Sequence, residues 1–152
     1  MTKKVWVEGF NHFRQALLSL TEALDQFTAN VPSIIKSGIL HRFALTHELA
    51  CQTMMQYLSS NSSFKAKGHR AVCQQALRIG LLKGTSIDDG LIWMDMIDSR
   101  HRFLLSHSDT ILQEEFLKVG HRFTPALRQF EQHMTRLMSL ETGGTIGGTT
   151  GE

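Results

Sequence analysis

Several residue types and features that would fix a fold class are scarce in this chain. Of its 152 residues two are cysteine, two proline and one tyrosine. Cys51 and Cys73 are too few for a disulfide framework and have neither CxxC nor zinc-finger spacing, so they read as buried thiols in a reducing compartment. No uncharged apolar run approaches the ~18 residues of a membrane span. The opening Met1-Thr2-Lys3-Lys4-Val5-Trp6-Val7-Glu8 lacks the apolar core of a signal peptide. Cytoplasmic residence without a membrane partner is the expectation. Charge of one sign is scarce too. Sixteen Lys plus Arg against 14 Asp plus Glu leave +2 with histidine neutral, too little to predict a broad nucleic-acid or membrane-binding surface. Nucleophile elbows, phosphate loops and dinucleotide fingerprints are absent, and no cofactor is expected.

What is there suits a globular domain: 41% apolar and 20% charged residues, with a length that normally makes one domain with its own core. Eight histidines make the charge more pH-dependent than +2 suggests. The domain is expected over residues 1–141. Residues 142–152, rich in glycine and threonine, are expected to form a flexible tail.

Helical periodicity dominates the body. Phe10, Phe13, Leu17, Leu20, Leu24 and Phe27 alternate spacings of three and four and share one helical face. Asn30-Val31-Pro32-Ser33 breaks that helix, with Ser33 as the expected N-cap of the next. The second helix, about Ser33 to Leu58, carries Ile35, Ile39, Phe43, Thr46, Ala50, Met54 and Tyr57; Gly38 inside it marks a place of close packing. A short third helix runs from about Lys65 to Leu82, with Val72, Ala76, Leu77 and Leu81 inward and a stop at Lys83-Gly84. A fourth starts at Asp88 or Asp89 and carries Ile92, Trp93, Met96, Ile97, Phe103 and Leu104. A fifth runs from Ile111 to Leu137, and Pro125 inside it should bend it, because the carbonyl of His121 loses its partner. No period-two strand pattern competes. The predicted fold is all-α: an antiparallel up-and-down bundle of about five helices, four long and one short.

Two histidine clusters stand out. In Trp93 to His107, Arg100 and His107 lie seven apart and fall within about 20° of eclipsed on a helix, whereas Arg102 and His107 diverge by about 140°. An arginine can hold a phosphate through its fork while a histidine moves a proton, which is a pairing suited to metal-independent attack of an RNA 2′-hydroxyl. In His41 to Leu49, His41 and Glu48 share a face. The spacing is not that of a metal site, so no metal is expected and a histidine paired with a carboxylate is the plainer reading. The triplet His-Arg-Phe occurs at His41, His101 and His121 without a fixed period. Its arginines, Arg42, Arg102 and Arg122, either line a common basic surface or sit at the surface beside buried phenylalanines.

Gly38-Ile39-Leu40-His41-Arg42-Phe43-Ala44-Leu45-Thr46-His47-Glu48-Leu49-Ala50 resembles the G-x-I-x-R-F-E-F-T-x-E-L pattern of the nucleotidyltransferase substrate-binding proteins, in the HEPN superfamily. Gly80-Leu81-Leu82, then Trp93-x-x-Met96-x-x-x-Arg100 and Ser106-His107, resemble that family's G-L-I and W-x-x-M-x-x-x-R-N-x-x-S-H. Phe123-Thr124-Pro125-Ala126-Leu127 is similar to the Y-Y-P-A-L of its last helix. The likeness spans about Phe10 to Leu140.

The resemblance implies a HEPN-like bundle that forms a homodimer and binds a minimal nucleotidyltransferase encoded nearby, with nucleotide or RNA as substrate. It carries over His107 and Ser106 as motif residues. The motif arginine is Arg100 by spacing from Trp93, or Arg102 by counting four residues back from His107. Arg42 and Glu48 match the family's second-helix arginine and glutamate, and His101 stands at the polar position after the arginine. On this resemblance Arg42, Glu48 and His101 are expected to bind substrate. Arg100, Arg102, Ser106 and His107 would form the catalytic set in relatives that are metal-independent RNase toxins. The chain also departs from the pattern. Ala44 replaces the first glutamate of R-F-E-F, Cys51-Gln52 replaces the usual Trp-Lys, and Asp109 stands where toxin relatives carry a tyrosine that receives a nucleotide. Three readings follow: a substrate-binding partner subunit, an endoribonuclease toxin of a toxin–antitoxin pair, or a helical interaction protein with no nucleotide role.

Overall fold

The computed structural model describes residues 3–27, 30–65, 67–82, 89–106 and 108–150, with side chains described from Val5 to Glu141 within those segments. The elements are α1 (Lys3–Gln26), α2 (Ser33–Asn61), α3 (His69–Arg78), α4 (Asp89–Leu104), α5 (Asp109–Lys118), a π turn (Val119–Phe123) and α6 (Thr124–Thr150). The last three follow without a break, so the described residues form five helical rods and contain no strand. α6 continues to Thr150 through the Gly/Thr-rich stretch. No helix among the described residues is long and apolar enough to cross a membrane.

The predicted stripe of α1 is the wall of the core: Phe10, Phe13, Leu17 and Leu20 are buried, and Leu24 and Phe27 pack at its edge. Neighbouring rods pair head to tail. Trp6 meets Tyr57 edge-on at 5.3 Å while Arg42 near the start of α2 reaches the Ser19 carbonyl of α1. Phe13 likewise meets Phe130 of α6 at 5.3 Å. α2 lies at the centre. Beside the predicted stripe it buries Leu40, Ala44, His47, Cys51 and Leu58, so it is apolar on more than one side, as a helix with neighbours all round must be. Its buried hydroxyls are satisfied locally: Thr46 Oγ1 donates to the Arg42 carbonyl at 2.7 Å and Thr53 Oγ1 to that of Leu49 at 2.8 Å.

The phenylalanines of the three His-Arg-Phe triplets converge. Phe43 stacks on Phe123 at 5.3 Å and lies 6.3 Å from Phe103. The arginines beside them diverge to separate partners, so the triplets mark three helices docking one aromatic ring each into a shared core.

Several expectations are corrected. Pro32, not Ser33, is the N-cap of α2; Ser33 begins the helix and its hydroxyl donates to Asp109 Oδ1 at 2.8 Å. Gly38 is exposed, and a Cβ there would meet nothing within 4 Å, so no close packing explains it. α3 is shorter than predicted because Gly80, at φ 91°, stops it. The Gly80 N–H donates to Leu77 O and that of Leu81 to Ala76 O at 2.8 Å, the paired bonds of a Schellman cap. The predicted stop at Lys83-Gly84 lies outside the described residues. Leu77 and Leu104 are exposed rather than inward.

Pro125 is accommodated by the π turn immediately before it. The Val119 carbonyl takes both the Thr124 backbone N–H and the Thr124 hydroxyl, the latter at 2.7 Å. Widening the helix by one residue re-pairs carbonyls that the missing proline donor would disturb.

Candidate functional site

Glu48 follows His47 on α2, about 100° further round the helix. His47 therefore turns into the core, fully buried, while Glu48 stays one-third exposed toward α3 and α4. His69, the first residue of α3, lies beside His47. The rings of His47 and His69 are 5.9 Å apart. Arg100 reaches in from α4.

These residues form one cluster. Arg100 Nη1 lies 3.1 Å from both Glu48 Oε1 and His47 Nδ1. His69 Nε2 lies 3.0 Å from the same Glu48 oxygen, and Gln52 Nε2 donates to Glu48 Oε2 at 3.3 Å. A guanidinium can only donate, so His47 Nδ1 is an acceptor and its proton sits on Nε2. That nitrogen faces Cys51 Sγ at 3.7 Å.

Burial, then the charges of Arg100 and His69, push the His47 pKa from 6.5 down to about 3, and the ring is neutral at physiological pH. Burial pushes Glu48 up, but hydrogen bonding from Arg100 and the nearby His69 outweigh it and hold the carboxyl below its usual range. Cys51 is raised well above a free thiol by its hydrogen bond to Cys73 and by burial, so its thiol stays protonated in the core.

Arg102 lies about 200° from Arg100 on α4 and belongs to a different cluster. Its Nη1 donates to Glu115 Oε2 at 2.6 Å, and Lys118 Nζ donates to the same oxygen at 3.1 Å. The Ser99 hydroxyl donates to the other carboxylate oxygen. Glu115 is fully buried. Burial raises its carboxyl, but bonds from Ser99, Arg102 and Lys118 bring it below the usual range.

The predicted site residues are thus divided. Glu48 and Arg100 come together. Arg102 does not join them. Arg42 points to α1, where Nη1 donates to the Ser19 carbonyl at 3.1 Å. His101 is exposed on α4, away from the cluster. Ser106 lies in the turn after α4, its hydroxyl accepting the Ser108 N–H at 3.0 Å. His107 lies outside the described residues. Because α4 ends at Leu104, the helical-face argument pairing Arg100 with His107 does not apply. The expected His41–Glu48 pairing is also replaced: Glu48 takes Arg100 and His69, and His41 is exposed. Arg122 pairs with Asp95, so Arg42, Arg102 and Arg122 do not share one basic surface. No three His, Cys, Asp or Glu side chains among the described residues are placed to hold a metal ion.

Sequence reasoning missed His47, His69 and Glu115. Only Glu115 left a trace: it falls between Leu112, Phe116 and Val119 on the inward face of α5, where a charged residue requires partners. The family described as nucleotidyltransferase substrate binding protein like matches the chain over residues 8–136. No curated protein matches the chain.

Proposed function

The chain belongs to the nucleotidyltransferase substrate binding protein like family, and from that membership we propose that it is the non-catalytic, substrate-presenting subunit of a two-component system. Its partner is a minimal nucleotidyltransferase encoded nearby, and it acts as a homodimer in the cytoplasm, binding the nucleotide or RNA that the partner acts on.

One observation supports this over an RNase reading. Both arginines that could serve a catalytic Arg…His pair are held by carboxylates of the chain itself, Arg100 by Glu48 and Arg102 by fully buried Glu115. To clamp a scissile phosphate, either would have to share its charge with an adjacent carboxylate that repels the phosphate. The same ion pairs make good sense as links, joining α4 to α2 and α4 to α5.

Co-expression of the chain with the neighbouring nucleotidyltransferase tests the reading. The expected result is a stable complex on gel filtration and no RNA cleavage by the purified chain. RNA cleavage that disappears in His107→Ala while the dimer survives would overturn it in favour of the endoribonuclease toxin. Failure to bind the nucleotidyltransferase, with no RNA phenotype, would leave a plain helical interaction protein.

A further inference from the structure

α3 has little to hold it in place. Its 10 residues fall short of the about 12–15 at which a helix is marginally stable alone, so its neighbours must keep it helical. Its buried side chains are three small ones, Val72, Cys73 and Ala76, and burial stabilises in proportion to apolar area. No side chain caps its first turn. Two ion pairs tie it down: His69 Nε2 to Glu48 Oε1 on α2 at 3.0 Å, and Arg70 Nη2 to Asp98 Oδ1 on α4 at 2.6 Å. All four side chains are between about one-third and one-half exposed, and pairs so exposed contribute little.

A glycine with positive φ stands at each end of α3, Gly68 at 94° and Gly80 at 91°. Lacking a Cβ, these two positions can rotate where other residues are blocked. Directly after Gly80 the chain is anchored again by buried Leu81 and Leu82. α3 is therefore a lightly held rod between two pivots. Beneath it lie His47 and Cys51 of α2. The His69 ring stands edge-on to that of His47 at 5.9 Å, and Cys73 is hydrogen-bonded to Cys51. His47 in turn accepts from Arg100 at 3.1 Å. α3 thus covers an arginine–imidazole pair.

We propose that α3 is a flap that swings open as a unit about Gly68 and Gly80, uncovering His47 and Cys51 while the other rods stay folded. Opening breaks both ion pairs and the Cys51–Cys73 contact. Glu48 keeps Arg100 and Gln52 as partners, and water reaches the His47 ring. Segments with few buried apolar contacts are the ones that open below the free energy of global unfolding. The flap sets when solutes reach the Arg100–His47 pair, and it does so whether or not the chain binds a nucleotidyltransferase.

Cys51 and Cys73 are the chain's two cysteines, both free and buried, and they serve as built-in reporters. The full chain is labelled with N-ethylmaleimide across a urea series and read by mass spectrometry, with circular dichroism recording the global transition. Both thiols should react together, at a rate nearly flat in urea while the chain is still folded. Hydrogen exchange should be at least tenfold faster at the amides of residues 72–78 than at those of residues 13–20 in α1. Arg70→Ala and His69→Ala each remove one tie and leave a good helix former; each should speed labelling threefold or more without changing the circular dichroism. Should either variant not fold, the urea dependence and hydrogen exchange of the natural chain decide. Labelling that rises with urea in step with global unfolding overturns the proposal. So do thiols that stay unlabelled below the transition, α3 amides as protected as those of α1, or folded variants that label no faster.

Discussion

His47 should make this protein acid-sensitive in a window where ordinary carboxylates do not titrate. The ring is fully buried, accepts from Arg100 Nη1 at 3.1 Å and has Cys51 Sγ 3.7 Å from its other nitrogen. Its pKa is about 3 in the fold against 6.5 when free. Between those values the unfolded chain binds a proton that the native chain refuses. The stabilisation is therefore complete above pH 6.5 and is lost as pH falls toward the folded value, at about 1.4 kcal/mol per pH unit. From pH 6.5 to 4.5 that amounts to roughly 2–3 kcal/mol, a large part of the about 5–15 kcal/mol that holds a typical domain together. Urea unfolding followed by circular dichroism from pH 7.5 to 4.5 measures it, with His47→Gln as the comparison. Glutamine keeps an acceptor for Arg100 but does not titrate. The variant should be less stable at pH 7.5, yet its stability should fall with acid more gently by about one proton. Taking the difference between the two curves cancels the other groups that titrate there, among them His133, which burial and Arg136 also lower. Parallel curves, or a His47 ring that protonates above pH 6 by NMR, would refute the reasoning.

Glu115→Gln should destabilise the chain by about 2 kcal/mol and lower Tm by roughly 4–8 °C, because Arg102 and Lys118 lose a buried counter-charge while both remain partly exposed. Since the Glu115 carboxyl is held below its free value of 4.5, its contribution is present above that pH and lost as pH falls through the folded value; the variant should show a flatter acid limb in thermal melts. Gly38→Ala, at an exposed helical position with open space around it, should stabilise by ~0.5–1 kcal/mol and raise Tm by about 1–4 °C. A chain ending at Glu141 should melt within about 2 °C of the full chain, the Gly/Thr-rich segment contributing little apolar surface.

The fold was legible where a single helix carries its own signal. The three-four spacing of Phe10, Phe13, Leu17 and Leu20 is a local property of the chain, and all four are buried. The separation of Arg100 from Arg102 was equally implicit, since residues two apart cannot face one way on a helix. The end of α3 was misjudged although its signal was present: Gly80 has the left-handed conformation that caps a helix. Pro125 was correctly marked as a disturbance, but whether a helix bends or inserts a π turn depends on what packs against it.

The site was less legible. Arg100 and His47 are 53 positions apart and Ser99 and Glu115 are 16 apart, and no periodicity encodes such distances. The sequence by itself determined the helices, their apolar faces and the family pattern, because these follow from the order of residues within one turn or two. Tertiary packing alone decided that His69 would sit beside His47, that Glu48 would choose Arg100 over His41, and that Glu115 would be buried yet ionised. Each of those outcomes depends on which rods lie side by side, and a charge is worth burying only where a second helix brings its partner.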